Sequence, residues 1–209
     1  GFADLVLTGT SGSRLLRSYG QADFSQTNLP TGPGIDVSVV DIDNNELPDI
    51  IVVESVDRSV SLLRNLGDGS DFATENLQQG SVASVTGADL NGDGNTDLLL
   101  AVDGDDLSVP ASRILYQLSD GTFTAGETIG ASPLSKMLAG DVDGDTFVDI
   151  VALNDAGVHQ LYRGSPGGQF QLSAEQIVSE GMRGGILTDF NRDDSIDLII
   201  AGPNASVVE

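Results

Sequence analysis

An acidic segment at residues 141–149 constrains the fold of this chain more than any other feature. Aspartate stands at its first, third, fifth and ninth positions, and an apolar run follows directly at 150–153. Without a cation these carboxylates would repel one another, by about 1 kcal/mol for a pair 4 Å apart in bulk water. Calcium takes roughly six to eight oxygen ligands, which a tight acidic loop can supply. The segment therefore predicts a calcium-binding turn that leads into a buried strand.

The same pattern occurs in three further places, which start at Asp41, Asp89 and Asp189, and each copy precedes an apolar run. The ninth-position aspartates, with Asp4 added as the first of the series, are separated by 45, 48, 52 and 48 residues. A period in the forties with short apolar runs is typical of four strands per repeat, the size of a propeller blade. Glycine and aspartate between alternating apolar positions favour hairpins over helices. The chain is therefore predicted to be all-β.

The repeat period predicts a single propeller region over residues 1–209. Its approximate repeats are a partial blade at 1–33, whole blades at 34–80, 81–131 and 132–180, and a second partial blade at 181–209. The opening residues from Gly1 to Leu7 match the end of another loop and its strand. We therefore expect a fragment, a processed product or a trimmed chain.

Composition excludes some classes of partner. The chain has 32 acidic and 9 basic residues and a formal charge of -23. Nucleic acids and anionic membranes attract basic surfaces, so we expect neither as a partner. No apolar run approaches the length of about 18 residues that a transmembrane helix requires, so we expect no membrane insertion. Weak calcium loops fill at the millimolar calcium found outside cells, which favours an extracellular, secreted or cell-surface location.

The loop spacing differs from that of an EF-hand, which needs a glutamate at position twelve between two helices. Here position twelve is apolar and lies in the predicted strand, so the ninth-position aspartate replaces that glutamate. We expect side chains at positions one, three, five and nine, with the backbone carbonyl at position seven, to bind up to four calcium ions. The candidate ligands are Asp41, Asp43, Asn45, Leu47, Asp49, Asp89, Asn91, Asp93, Asn95, Asp97, Asp141, Asp143, Asp145, Phe147, Asp149, Asp189, Asn191, Asp193, Ser195 and Asp197.

The repeat Asp-x-(Asp/Asn)-Gly-Asp-Gly-x-x-Asp, followed by an apolar strand, resembles the FG-GAP/VCBS repeat family, which includes the calcium-binding blades of integrin α-subunits. The resemblance implies a β-propeller, commonly of about seven blades, with calcium in the loop between the first two strands of each blade. Asn44 and Glu46 in the first copy, and Arg192 and Asp194 in the fourth, replace the two glycines of the motif. Because glycine tolerates backbone angles that cost other residues energy, we expect the second and third copies to be the best sites and the fourth the weakest.

Residues suited to catalysis are scarce. His159 is the only histidine and there is no cysteine, so the sequence does not favour a Ser-His-Asp triad or a zinc site. Arg17, Arg64 and Arg163 recur in register between the loops, and we interpret them as architectural. A calcium ion saturated by protein oxygens leaves no open position for a substrate. We therefore expect structural calcium and no enzymatic activity.

By resemblance, the expected function is non-catalytic recognition or adhesion outside the cell. A first alternative is a sugar-binding accessory module of a secreted polysaccharide-active enzyme or lectin. A second alternative is a structural subunit of an extracellular filament or coat, because open blade edges could pair with another chain. The expected partner is accordingly a protein or carbohydrate ligand, or a second copy of the chain.

Overall fold

The computed structural model describes residues 3–20, 23–67, 69–78, 80–104, 111–130, 133–154, 156–178 and 184–201. In these ranges the chain forms seventeen strands and no helix, so none of the described residues belongs to a helix able to cross a bilayer. The strands are β1 (Leu5–Leu7), β2 (Arg14–Gly20), β3 (Asp23–Asn28), β4 (Gly34–Val40), β5 (Asp49–Glu54), β6 (Val60–Asn65), β7 (Phe72–Gln78), β8 (Val82–Ala88), β9 (Asp97–Val102), β10 (Arg113–Gln117), β11 (Phe123–Thr128), β12 (Lys136–Gly140), β13 (Asp149–Leu153), β14 (Val158–Arg163), β15 (Gln171–Val178), β16 (Gly184–Thr188) and β17 (Asp197–Ala201). The all-β prediction is confirmed. The predicted blade junctions at 131/132 and 180/181 fall on residues outside the described ranges, as do the chain ends at 1–2 and 202–209.

Strands that follow one another in the sequence lie side by side in the sheets. Three sheets have four strands, in the orders β4-β5-β6-β7, β11-β10-β9-β8 and β12-β13-β14-β15, and two smaller sheets contain β1-β2-β3 and β16-β17. From β4 to β7 every neighbouring pair is antiparallel, for example with Ile50 opposite Leu63. Tight turns suffice for this arrangement because antiparallel neighbours need no crossover connection. The four-stranded blade predicted from the repeat period is confirmed.

The second strand of each four-stranded sheet is buried on both faces. All six residues of β9 and all five of β13 are buried, as are the first five of β5. Their apolar runs lack polar alternation, which is the pattern of a strand covered on both sides. Burial of each large aliphatic side chain contributes about 1.5–3 kcal/mol relative to its exposure. The strand that leaves each acidic loop is therefore firmly anchored.

The chain divides into two compact units at residues 1–85 and 86–209, and the division falls inside β8. In the first unit, Leu15 of β2 and Ile50 of β5 belong to one core cluster. In the second unit, Leu99 of β9 shares a core with residues of β12 and β13. Within each unit, apolar side chains of successive sheets thus pack together. The acidic loops lie outside this packing, at the ends of the strands.

Candidate metal centre

Each acidic loop joins the first strand of a sheet to the second. The first, second, third and fourth loops are residues 41–49, 89–97, 141–149 and 189–197. Position one follows the last residue of one strand, and position nine is the first residue of the next. In the third loop, Gly140 lies directly opposite Asp149 in the β12–β13 ladder. The ladder therefore holds the two ends of the loop at a fixed separation.

The first-position aspartate is the centre around which each loop turns. In the third loop, Asp141 Oδ1 accepts hydrogen bonds from the amides of Gly144 at 2.8 Å and Asp145 at 3.1 Å. Its Oδ2 accepts a hydrogen bond from the amide of Thr146 at 2.8 Å. The corresponding aspartates of the other loops accept hydrogen bonds from the same stretch of backbone: Asp41, Asp89 and Asp189. These bonds to a charged acceptor shape the loop before any ion binds.

Positions four and six have positive φ angles in every loop, whichever residue stands there. The angles are 57° and 68° for Asn44 and Glu46, 78° and 83° for Gly92 and Gly94, 78° and 77° for Gly144 and Thr146, and 65° and 67° for Arg192 and Asp194. This region costs a non-glycine residue roughly 1–2 kcal/mol. Replacement of the glycines in the first and fourth loops thus leaves the backbone path unchanged. The third loop also departs from the motif, a difference not recognised from the sequence: its sixth position is Thr146, a β-branched residue.

The ninth-position aspartate is buried and ties its loop to the third strand of the sheet. Asp149 Oδ2 accepts the amide hydrogen of Val142 in the loop at 3.0 Å, and its Oδ1 accepts that of Gly164 after β14 at 2.7 Å. Asp49 and Asp97 make the equivalent pairs of bonds. All three aspartates have an exposed fraction of 0%. The predicted ligand therefore has a second task, which is to hold the end of the third strand against the loop.

Burial raises the pKa values of these three aspartates. The pKa of Asp97 is raised to about 6, first by loss of solvation and then by the charges of Asp93 and Asp89, against the lowering effect of its backbone hydrogen bonds. Burial likewise raises the pKa of Asp49 and Asp149. The ionised form of Asp97 therefore destabilises the metal-free fold at neutral pH, and this effect is relieved as the pH falls through about 6. A cation in the loop would act in the opposite direction, favouring the ionised form.

The third position is fixed differently in different loops. In the second loop, Asn91 Oδ1 accepts the amide hydrogen of Asp93 at 2.8 Å, and Asn91 Nδ2 donates to Asp93 Oδ2 at 3.1 Å. The fourth loop repeats both bonds. In the third loop, Asp143 Oδ1 accepts the amide hydrogen of Asp145 at 3.2 Å. An ionised aspartate has no hydrogen to donate, so the second bond of the asparagine loops has no counterpart here.

An arginine outside the third loop contacts its third-position aspartate. Arg163 on β14 donates from Nη1 to Asp143 Oδ2 and from Nη2 to Glu175 Oε2 on β15, the second at 3.1 Å. From the sequence, Arg163 was interpreted as architectural, without a connection to the loop. The available signal was the recurrence of arginine at the same place in three of the repeats, at Arg17, Arg64 and Arg163.

The structure brings three predicted ligands of the first loop and three of the third close together. In each group, one carboxylate oxygen from each residue lies within 4.8 Å of the others, and the groups are Asp41, Asp43 and Asp49, and Asp141, Asp143 and Asp149. In the second and fourth loops an amide oxygen stands at the third position instead. This oxygen-only donor set suits a hard cation such as calcium.

The fifth and seventh positions are linked to each other in every loop. The amides of the seventh residues donate to the side-chain oxygens of the fifth residues at 2.7 to 2.9 Å; the seventh residues are Leu47, Asn95, Phe147 and Ser195, and the fifth are Asn45, Asp93, Asp145 and Asp193. Binding of calcium by the carbonyl oxygens of the seventh residues stays a prediction. The fifth side chains therefore brace the loop as well as being candidate ligands.

Two concave regions lie beside the loops. In the first unit, a cleft of about 530 Å³ is lined by apolar side chains that include Phe72 and by the polar residues Asp4, Arg17 and Asn65. In the second unit, a recess of about 260 Å³ lies between the third and fourth loops. These two loops are therefore neighbours.

Four-stranded blades with oxygen-rich loops between their first two strands define an all-β repeat protein of the β-propeller class. The profile of the FG-GAP-like repeat matches residues 41–100, 89–152 and 141–200. Each match begins at the first position of a loop and ends in the strand that follows the next loop. The matches span well over half of the sequence, and the chain belongs to the FG-GAP-like repeat family.

A solved structure shares the fold. It is the crystal structure of BBS1N in complex with ARL6DN, soaked with lead; the matching chain is 13% identical to this one, with a TM-score of 0.55. The alignment covers 99% of this chain and 66% of that chain, so this chain spans slightly less than two thirds of its length. At such low identity the likeness shows the fold alone. A comparison with curated protein sequences gives no significant match.

Proposed function

We propose that the chain is a non-catalytic, calcium-binding β-propeller protein that acts in recognition or adhesion outside the cell, with calcium as a structural ion. The observation that carries the proposal is the convergence of the first, third and ninth carboxylates to within 4.8 Å in two of the loops. Like charges at such distances repel, and a divalent cation at their centre converts that repulsion into attraction. The calcium binding of many relatives in the family supports the same reading.

Calcium would be held by the side chains at positions one, three, five and nine, with the carbonyl at position seven. When bound it supplies positive charge to a cluster that is otherwise acidic. Asp149 transmits the effect, because its two oxygens already join the amide of Val142 to that of Gly164. The turn between β12 and β13 and the end of β14 are therefore stabilised together. The consequence is a structural role in the blade.

Support for an extracellular role comes from charge and from calcium supply. The formal charge of -23 would be reduced by two for each bound calcium ion. Extracellular calcium modules have dissociation constants on the order of 0.1–1 mM, a range that is filled outside cells and largely empty in the cytosol. A chain whose blades need calcium for stability is therefore suited to extracellular surroundings.

Equilibrium dialysis against calcium in metal-depleted buffer tests the proposal. We expect up to four ions per chain, with dissociation constants on the order of 0.1–1 mM. The variant Asp145→Ala should lose binding at one loop, whereas Asp71→Ala, at an exposed residue outside the loops, should bind like the wild type. Absence of bound calcium at several millimolar would contradict the proposal.

A carbohydrate ligand is a second candidate, and the cleft in the first unit favours it. The Arg17 guanidinium can donate hydrogen bonds to sugar hydroxyls, and the partly buried Phe72 contributes to the apolar lining. A glycan array in millimolar calcium and again in EDTA should show calcium-dependent binding to a defined sugar, which Arg17→Ala would weaken. If no glycan binds, the carbohydrate candidate fails and protein recognition or self-association remains.

A further inference from the structure

We propose that Arg163 is a positioning residue for calcium in the third loop, because it holds Asp143 Oδ2 and thereby directs Asp143 Oδ1 into the loop. The inference rests on the proposed calcium binding. It adds to that proposal a residue outside the nine-residue motif, on a different strand of the blade.

Arg163 joins the loop to the outer strand of its sheet. Its guanidinium contacts Asp143 through Nη1 and Glu175 of β15 through Nη2, so one rigid fork connects two carboxylates. The side chains of Arg163 and Asp143 are 38% and 26% exposed, whereas that of Glu175 is 73% exposed. Solvent therefore screens the bond to Glu175 more than the bond to Asp143. Glu175 acts as a brace, and Asp143 is the group that is positioned.

The two oxygens of Asp143 face different groups. Oδ1 accepts the amide hydrogen of Asp145 within the loop, and Oδ2 contacts Arg163. A carboxylate held at one oxygen cannot rotate freely, so the other oxygen keeps its direction. Hydrogen bonds of this kind commonly fix the orientation of metal ligands and tune their affinity. Asp143 is therefore arranged to offer Oδ1 to calcium.

The second loop shows why the third needs such a residue. Asn91 fixes its own orientation by donating from Nδ2 to Asp93, a bond that an ionised aspartate cannot make. The amides of Gln117 and Gly164 bond to equivalent ninth-position aspartates, so the residues before them, Tyr116 and Arg163, occupy equivalent places.

Tyr116 serves a different purpose from Arg163. Its hydroxyl donates to Glu127 at 3.0 Å and to the carbonyl oxygen of Gly168 at 2.8 Å, neither of which belongs to one of the four acidic loops. In the second loop, asparagine at position three thus occurs with a tyrosine on the third strand of the sheet. In the third loop, aspartate at position three occurs with an arginine at the equivalent place.

The first loop repeats the combination of aspartate and arginine. Asp43 stands at its third position, and Arg64 precedes Asn65, whose amide bonds to the ninth-position aspartate. Arg64 forms an ion pair with Glu75 on the outer strand at 3.7 Å, as Arg163 does with Glu175.

A calcium titration followed by NMR separates the third loop from the others. In ¹⁵N-labelled protein, the amide of Gly144 reports on the third loop and that of Gly92 on the second. We expect Arg163→Gln to weaken calcium binding at Gly144 by about 10-fold to 100-fold, the range for loss of a residue that orients a metal ligand. Binding at Gly92 should not change. Arg14→Gln on β2 removes the same charge elsewhere and controls for the general increase in negative potential.

A double-variant cycle tests the mechanism. Asp143→Asn should let the new amide donate to Asp145, as Asn91 does to Asp93, so Arg163→Gln should cost little further affinity in that background. Arg163→Lys retains the charge but not the planar fork, and it serves as the test variant if Arg163→Gln does not fold in EDTA. We expect Arg163→Lys to lower the calcium affinity of the third loop less than Arg163→Gln does.

The outcomes distinguish this inference from the proposed function. Unchanged or tighter calcium binding in Arg163→Gln overturns the positioning role but leaves calcium binding intact. If Arg163→Gln lowers calcium affinity equally in the wild-type and Asp143→Asn backgrounds, the positioning role is also overturned, since Arg163 would then act independently of Asp143. If the Gly144 resonance of the wild type does not respond to millimolar calcium, calcium binding at this loop and the inference that rests on it both fail.

Discussion

The second and third loops follow the same backbone path, but different side chains and contacts hold them in it. Both have positive φ angles at positions four and six, and both bury a ninth-position aspartate that bonds to two amides. The second loop has three carboxylates, an asparagine that orients itself, and glycine at both positive-φ positions. The third has four carboxylates, one strained threonine and an external arginine. More negative charge in a loop thus comes with more backbone strain and with bracing from outside.

Calcium removal should have the largest effect, and a larger one on the third loop than on the second. A ligand at 100 times its dissociation constant stabilises the folded state by about 2.7 kcal/mol per site. We expect EDTA to lower the melting temperature markedly and added calcium to restore it. Hydrogen exchange should show a greater loss of protection at 141–149 than at 89–97. A greater loss in the second loop would reverse the comparison.

Replacement of the ninth-position aspartates should have the next largest effect, and a similar one in both loops. Asp149→Ala leaves two partly buried amides without their acceptor and Asp97→Ala leaves two buried ones, at a cost of about 1–3 kcal/mol for each donor. Urea denaturation in EDTA measures this cost separately from that of calcium. The control Asp71→Ala, at an exposed position, should change the free energy of unfolding by no more than about 0.5 kcal/mol. Unequal losses would show that the two aspartates do not play the same role.

Replacement of the third-position residue of the second loop, Asn91, by aspartate should give that loop the charge of the third loop but no arginine equivalent to Arg163. Asn91→Asp adds a fourth carboxylate and removes the donor to Asp93, so the metal-free protein should lose about 1 kcal/mol or more of stability. Bound calcium should offset this loss of stability in the variant. The difference between its melting temperatures in calcium and in EDTA should therefore be larger than that of the wild type. Asp143→Asn in the third loop is the matched change and should narrow that difference. Shifts in the same direction would contradict the charge argument.

Exchange of the sixth-position residues should have the smallest effect, with opposite signs in the two loops. Gly94→Thr places a β-branched residue at a φ of 83°, and because the loss of glycine also lowers the entropy of the unfolded chain, the net cost should be about 0.5–1 kcal/mol. Thr146→Gly relieves the same strain at 77°, but glycine gains entropy in the unfolded chain, so the net stabilisation should be about 0.5–1 kcal/mol. Chemical denaturation in saturating calcium gives both values. Destabilisation by Thr146→Gly would show that the threonine is not strained.

Much of the fold could be predicted because its signals are local. The period of the acidic loops predicts a repeat of four strands, the size of one blade. The apolar runs after the loops predict β5, β9 and β13, each of which is almost wholly buried. The match of the FG-GAP-like profile to residues 41–200 confirms the family. Strand β17 has the same kind of sequence, yet only one of its five residues is buried, so composition alone does not set burial.

The candidate site could be predicted only in part. The first, third and ninth ligands of two loops converge as their spacing implied. The glycine pattern does not separate the loops by backbone path, because Thr146 and Arg192 have positive φ angles and bond to the first-position aspartate as the glycines do. The ranking of the four loops as calcium sites stays a prediction. The second task of Asp149 was not predictable from the loop, since Gly164 is fifteen residues away.

The repeat, the strand pattern and the oxygen chemistry of the loops follow from the amino-acid sequence alone, because each depends on residues close together in the chain. Tertiary structure decided which side chains outside the motif reach those loops. In the β13–β14 ladder Ile150 lies opposite Tyr162, and this register brings the adjacent Arg163 to the start of β13, within reach of Asp143. A shift of one residue would turn Arg163 to the other face of the sheet. Strand register is set by the packing of both faces, which no short motif encodes.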